Sequence, residues 1–161
     1  MMGIGLIMVR IVVVYESRYG NTKRVAESII EGIKEAGEVN VSLKELKELD
    51  INSIPKYDVI LIGSPNHIGG PTRGIKGFID EFGKLRLEGK MFAVFDTYMG
   101  RDFEKAVKKM EKRISEKASG LKRIMAGLSI KVQGIKGPIV EGELPKCREF
   151  GRRIAAQLLK G

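Results

Sequence analysis

The chain has 161 residues, 43% hydrophobic and 30% charged, and it has no stretch with the bias of a disordered tail. This length predicts one domain over residues 1–161, and the single cysteine excludes an internal disulfide and a thiolate metal cluster. The net charge of +9 lies entirely in residues 101–161, which hold 16 Lys and Arg against 7 Asp and Glu. Three interpretations of this positive charge remain open: solvated helix faces, an acidic protein partner, or nucleic acid binding.

The composition also indicates where the protein works. The apolar start over residues 1–9 lacks the basic segment and cleavage site of a signal peptide, and Arg10 ends it far short of a membrane span. We therefore expect no membrane anchor, and residues 1–7 are either an extension or a misassigned start. The single cysteine favours a reducing compartment, so a cytoplasmic location is expected. The high Lys, Glu and Ile content, with few Asn, Gln and His, is typical of thermophilic proteins.

The first half of the chain is predicted to alternate strands and helices. Residues 9–15 form a β-branched run, which predicts a strand buried on both faces. Apolar residues then recur with helical spacing over residues 25–36, and Gly37 follows as a C-cap. Alternation over residues 39–43 predicts a second strand, and the apolar run over residues 59–65 predicts a third.

The second half continues the same alternation. A short helix is predicted from Thr72, and residues 90–100 are predicted to form the fourth strand and its exit loop. A long helix follows, whose apolar stripe runs from Phe103 to Leu121 and whose other face carries Lys105, Lys108, Lys109 and Lys112. Residues 129–132 are the predicted fifth strand, and Pro145 opens a last helix that buries Cys147.

Strands that alternate with helices predict a three-layer α/β/α sandwich. Its core is a five-stranded parallel sheet with the strand order 2-1-3-4-5 and helices on both faces. Such proteins bind ligands at the carboxyl ends of the strands, where the strand order reverses. Here that point lies between the first and third strands, so residues 17–22 and 64–72 are the candidate ligand loops.

The first of these loops has the composition of a phosphate-binding turn. Residues 16–22, ESRYGNT, join a buried strand directly to a helix N-terminus, where free N–H groups and the helix dipole favour an anion. Other phosphate motifs are excluded, because no Walker A and no Gly-x-Gly-x-x-Gly sequence follows the first strand. Cys147 and Arg153 have the spacing of a tyrosine phosphatase motif, but they lie inside a predicted helix.

The same residues resemble the signature of the flavodoxin family. The matching positions are Val13, Val14, Tyr15, Ser17, Gly20, Thr22, Ala26 and Ile29. The resemblance extends to GSPNHIGGPTRGIKGFID from Gly63 and to FDTYMG from Phe95, and thus over essentially the whole chain. Within this family the chain resembles the flavodoxin domain of archaeal flavodiiron proteins, and it is expected to stand alone without their metal-bearing partner domain.

The resemblance implies FMN as the cofactor, held by three loops. The first would wrap the phosphate, and the other two would line the opposite faces of the flavin ring, with Tyr98 as the aromatic contact. These loops comprise Ser17, Arg18, Tyr19, Gly20, Asn21 and Thr22, then Pro65, Asn66, His67, Ile68, Gly69 and Gly70, and finally Asp96, Thr97, Tyr98, Met99 and Gly100. No catalytic residue and no metal ligand is implied.

His67 departs from the family pattern. Many flavodoxins place Trp or Tyr on the inner face of the flavin, and this chain has its only histidine there. His67 either stacks on the ring or faces solvent. If it stacks, its cation would favour reduced, anionic flavin, and Arg73 and Arg101 would act in the same direction. We therefore predict a second reduction potential that is less negative than in acidic flavodoxins.

The resemblance implies an electron-transfer protein that shuttles electrons between redox partners. Its basic second half favours an acidic redox protein as partner, and a monomer or weak homodimer is expected. The alternative is an FMN-dependent NAD(P)H:quinone oxidoreductase, so enzymatic activity stays open, although residues 90–120 leave no room for the insertion of that class. Nucleic acid binding is not expected, because aromatic residues make up only 6% of the chain and do not interleave with the lysines.

Overall fold

The elements of the fold follow the apolar runs of the sequence. The computed structural model of the protein describes residues 8–160, so the predicted extension over residues 1–7 lies outside the described residues. Two short 3-10 turns, Leu46–Glu48 and Ile51–Lys56, connect the second strand to the third. In chain order the helices and strands are β1 (Arg10–Tyr15), α1 (Asn21–Lys34), β2 (Asn40–Glu45), β3 (Val59–Pro65), α2 (Arg73–Phe82), β4 (Met91–Tyr98), α3 (Lys105–Lys117), β5 (Lys122–Arg123), β6 (Leu128–Lys131) and α4 (Leu144–Lys160).

The strand pairing confirms the predicted fold class. All pairs of strands are parallel, the order is β2-β1-β3-β4-β5, and β6 also pairs with β4. Tyr15 pairs with Gly63, and Pro65 pairs with Thr97. The carboxyl ends of β1, β3 and β4 therefore meet at one edge of the sheet, which makes the predicted ligand loops neighbours.

The edge of the sheet beside β4 differs from the prediction of one fifth strand over residues 129–132. That segment is β6, which pairs with the end of β4, while β5 pairs with its start. Between them, a Cβ at Gly127 would lie only 2.4 Å from Val107 Cγ1 and 3.0 Å from the Val94 carbonyl oxygen. Within residues 8–160 the sheet thus has six strands, and the additional strand, β5, is two residues of Lys and Arg that carry no apolar pattern.

Apolar layers cover both faces of the sheet. In β1, Val12 and Val14 pack with residues of α2 and α3, whereas Ile11 and Val13 pack with residues of α1 and α4. All four side chains are fully buried, as a parallel sheet covered on both faces requires. Burial of each such side chain contributes roughly 1.5–3 kcal/mol. Among residues 8–160, no helix combines the length and the apolar character that a membrane crossing needs.

Helix α3 is shorter than its apolar stripe indicated. Phe103 and Leu121, the predicted ends of the stripe, both lie outside the helix. Glu104, which precedes α3, has a φ of 61°, and its backbone N–H donates to Ser129 Oγ at 2.9 Å. This left-handed residue prevents the helix from extending back to Phe103, whose side chain is 56% exposed. The prediction that Phe103 belongs to the buried stripe is therefore wrong.

Candidate functional site

A cavity of about 1040 Å³ opens at the carboxyl ends of β1, β3 and β4. The strand order reverses at this edge, which is where parallel α/β proteins bind their ligands. The structure brings residues from all three predicted loops into the wall of this one cavity. The predicted site residues that line it are Ser17, Arg18, Tyr19, Asn21, Thr22, Pro65, Asn66, His67, Ile68, Thr97, Tyr98 and Met99.

The loop after β1 ends at a helix N-terminus that Ser17 of the same loop caps weakly. Gly20 is the N-cap residue of α1, and its φ of 91° is one that glycine adopts without strain. Ser17 Oγ accepts hydrogen bonds from the backbone N–H of Gly20 at 3.0 Å and of Lys23 at 3.5 Å. The free N–H groups and the dipole of a 14-residue helix favour an anion here. This end of the cavity therefore fits a phosphate group.

The loop after β3 is a tight turn that presents an exposed apolar residue. The backbone N–H of His67 donates to the Gly70 carbonyl at 2.6 Å, and that of Gly70 donates to the His67 carbonyl at 3.3 Å. Ile68, between them, has a φ of 51°, which is strained for a β-branched residue. Its side chain is 93% exposed, so packing within the chain does not compensate the strain. Strained backbone conformations cluster at functional sites, so the strained backbone of Ile68 in the cavity wall indicates that this turn serves the function of the site.

Asn66 anchors the start of this turn and leaves one polar atom open. Its backbone N–H donates to the Thr97 carbonyl at 2.8 Å, and its side-chain amide donates to the Asp102 carbonyl at 3.3 Å. Its Oδ1 is buried and is the one side-chain polar atom of residues 8–160 that is buried without a hydrogen-bond partner. An open acceptor in the cavity wall suits a ligand that donates a hydrogen bond.

The end of β4 supplies the third wall. Thr97 Oγ1 lies 3.1 Å from Thr22 Oγ1, which joins the end of β4 to the start of α1. The ring of Tyr98 contacts Phe103 edge-on, with 5.4 Å between ring centroids and 67° between planes. Burial, and to a lesser extent the carboxylate of Glu143, raises the pKa of Tyr98, so its hydroxyl stays neutral at physiological pH. Tyr98 therefore offers a fixed, uncharged aromatic surface.

Five predicted residues do not line the cavity: Asp96, Gly20, Gly69, Gly70 and Gly100. The four glycines belong to the loops, but Asp96 is fully buried beneath the end of β4, and its side chain is engaged by α3 and β6. Its carboxylate accepts hydrogen bonds from the Val107 backbone N–H at 3.0 Å and from Ser129 Oγ at 2.5 Å. Burial raises the pKa of Asp96 to about 6. The prediction is thus corrected, and Asp96 fastens α3 and β6 to β4.

The cavity wall also contains residues outside the predicted set. Glu16 accepts a hydrogen bond from Thr72 Oγ1, which in turn caps α2 by accepting from the Ile75 backbone N–H at 3.1 Å. Helix start signals located Thr72, but no sequence signal shows that it meets Glu16 across two loops. The additional lining residues are Glu16, Glu45, Lys47, Pro71, Thr72, Arg73, Gly74, Lys76, Val132 and Ile135.

Flavodoxins and a larger flavoprotein are among the known proteins that are similar to this chain. The profile of the family described as Flavodoxin matches residues 13–142. A flavodoxin of Clostridium saccharobutylicum is 34% identical over 88 residues, 55% of each chain. Type A flavoprotein fprA of Rhodobacter capsulatus is 32% identical over 154 residues, 92% of this chain and 33% of that protein. The solved structure of a flavodoxin from the domain Archaea has a TM-score of 0.78 and 26% identity, covering 93% of this chain and 99% of that one. The chain thus spans about half the length, or less, of these two curated relatives.

Proposed function

Because the chain belongs to the flavodoxin family, whose members bind FMN as their cofactor, we propose that it is an electron-transfer protein holding FMN in this cavity. The observation that carries the proposal is the N-terminus of α1 at the cavity, whose first backbone N–H groups suit a phosphate. Bound FMN supplies reversible one- and two-electron redox chemistry. The residues of the chain then need only bind the cofactor, orient it and limit its contact with water.

The phosphate would bind at the first loop. Ser17, Asn21 and Thr22 offer hydroxyl and amide groups beside the α1 N-terminus, and the exposed guanidinium of Arg18 adds positive charge. Each hydrogen bond to a charged phosphate contributes about 1.5–3 kcal/mol, so a few are enough to retain FMN without a covalent link. The contact between Thr22 and Thr97 orients the Thr22 hydroxyl within this loop.

The flavin ring would lie between the other two loops. Tyr98, held by its edge contact with Phe103, provides an aromatic surface on one side. The turn with His67 and Ile68 lines the other side, and Asn66 Oδ1 offers a hydrogen-bond acceptor there. We therefore propose the three loops that line the cavity as the FMN site.

Titration of the flavin-free protein with FMN tests this site. Thr22→Val keeps the size of the side chain but removes the hydroxyl, and we expect it to weaken FMN binding about tenfold, or about 1.4 kcal/mol. Ser28→Ala is the matched control, because Ser28 is buried in the same helix but does not line the cavity. If wild-type protein binds no FMN, the proposal is wrong, and an unchanged Kd in Thr22→Val would remove that hydroxyl from the site.

We propose that the redox partner is acidic. The basic face of α3, defined here as Lys105, Lys108, Lys109 and Lys112, is exposed. Asp102 pairs with Lys105 at 3.0 Å, and Glu104 approaches Lys108 at 3.9 Å. Lys109 and Lys112 form no ion pair within residues 8–160. This face adjoins the cavity loops, so an acidic protein would be steered towards the cofactor.

The salt dependence of electron transfer tests the charge of the partner. We expect the rate at which the reduced protein reduces an acidic rubredoxin to fall steeply between about 20 and about 300 mM NaCl. A rate independent of salt would contradict an electrostatic role for the basic face of α3. A basic cytochrome serves as the control partner, and its rate should not fall with salt.

The quinone reductase alternative is less favoured. Only residues 99–104 join β4 to α3, so within residues 8–160 no insertion is present there to cover the cavity. We further propose that the carrier acts in the cytoplasm as a monomer or weak homodimer. The single cysteine, Cys147, which is buried and unpaired, supports a reducing compartment.

A further inference from the structure

A lysine of α3 lies across the turn at residues 67–70. A Cβ built on Gly70, which is buried, would lie 3.2 Å from Lys109 Cδ and 3.7 Å from Lys109 Nζ. A Cβ built on Gly69 would lie 3.9 Å from the same Nζ. The aliphatic part of Lys109 therefore lies over the turn, with its ammonium group beside it. Because His67 and Ile68 of this turn line the cavity, Lys109 sits directly behind the cavity wall.

No carboxylate neutralises the charge of Lys109. Within residues 8–160 its ammonium forms no ion pair, whereas Lys105, one turn earlier in α3, pairs with Asp102 at 3.0 Å. The carboxylates in the cavity wall are Glu16 and Glu45, which follow β1 and end β2. Glu16 accepts a hydrogen bond from Thr72 in the loop after β3, and neither Glu16 nor Glu45 forms an ion pair with Lys109 within residues 8–160.

We infer that the positive charge of Lys109 raises the reduction potential of FMN bound in the cavity. This inference rests on the proposed function. Reduction adds negative charge to the flavin ring, so a cation behind the wall stabilises reduced FMN more than oxidised FMN. Surface lysines usually lose such effects to motion and screening, but the stem of Lys109 is packed on the Gly70 backbone.

Lys109→Met tests the charge because it keeps an unbranched stem over Gly70. At low salt we expect the ratio of affinities for reduced and oxidised FMN to fall about three- to tenfold. At about 30 mV per tenfold for a two-electron couple, the midpoint potential of the bound FMN should fall by about 15–30 mV. Lys109→Arg should keep the wild-type potential.

Lys112→Met is the matched control. It removes the same charge from the same exposed face of α3. No atom of Lys112, however, is among those nearest to a Cβ built on Gly69 or Gly70. The change in reduction potential caused by Lys112→Met should be less than about a third of the change caused by Lys109→Met, since the charge of Lys112 is farther from the turn. Affinity for oxidised FMN should stay unchanged in both variants, whereas Lys109→Ala, which also uncovers Gly70, should weaken it.

Equal shifts in Lys109→Met and Lys112→Met would overturn the inference, because the effect would then belong to the overall charge of α3. A wild-type potential in Lys109→Met would also overturn it. A wild-type protein that takes up no FMN would overturn both the proposed function and this inference. The two failures are distinguishable, because the wild-type titration is complete before any variant is compared.

Discussion

The buried carboxyl group of Asp96 predicts a pH dependence of stability. Burial raises its pKa to about 6 in the folded protein, whereas an unfolded chain leaves it near about 3.9. The folded state therefore binds this proton more tightly. Its contribution to the free energy of unfolding is full below about pH 4 and is lost as the pH rises through about 6. A difference of about two pKa units corresponds to about 3 kcal/mol.

Asp96→Asn removes the titrating proton and keeps a carbonyl oxygen that can accept from the Val107 backbone N–H. Urea denaturation between about pH 3 and about pH 7 gives the free energy of unfolding of both proteins. We expect the difference, wild type minus variant, to fall by about 3 kcal/mol over this range. A difference that stays level would refute the reasoning, because the carboxyl group would then titrate alike in both states.

Asp80→Asn is a control with the opposite sign. Arg113 donates two hydrogen bonds to Asp80, at 2.7 and 2.8 Å, and they lower the pKa of that carboxyl group. Its stabilising contribution is present above the unfolded pKa and is lost as the pH falls through the folded pKa. The free energy of unfolding of the wild type minus that of Asp80→Asn should therefore rise as the pH increases from about 3, and it should not fall at any higher pH.

Three further predictions concern packing, strain and reactivity. Gly151→Ala should lower the free energy of unfolding by about 2–3 kcal/mol, because its Cβ would lie 2.0 Å from the Ile29 carbonyl oxygen where α4 crosses α1. An unchanged thermal midpoint would contradict this close approach. Ile68→Asn should raise that free energy by about 0.5–1 kcal/mol, because Asn tolerates the left-handed backbone, and a destabilised variant in urea would argue against strain there. Burial raises the pKa of Cys147 to about 12, so the native protein should resist a thiol reagent at about pH 8, and rapid labelling would show otherwise.

The central strands of the sheet could be predicted because they are largely apolar runs. β3 has the predicted bounds, Val59–Pro65, since both of its faces are buried and no charged residue interrupts it. The start of α3 could not be predicted in the same way. It depends on Glu104, whose left-handed backbone is held by Ser129, 25 positions later in the chain. Local apolar spacing carries no information about such a contact.

The loops of the site could also be predicted, but not the contacts between them. The spacing of the turn after β1 and the resemblance to flavodoxins located the three loops that now line one cavity. The resemblance also included Asp96, although the Asp96 carboxylate accepts hydrogen bonds from Val107 and Ser129 and does not line the cavity. The contacts of Glu16 with Thr72, and of Lys109 with Gly70, join segments far apart in sequence, so they emerge only from tertiary packing.

Anaerobic reduction of the FMN-loaded protein tests the central claim most directly. We predict that excess NADPH leaves the visible flavin absorption unchanged, whereas dithionite bleaches it. An acidic rubredoxin added to the reduced protein should then restore the absorption as it takes up electrons. Rapid bleaching by NADPH alone would contradict an electron carrier that depends on a protein partner and would identify an NAD(P)H-dependent enzyme instead.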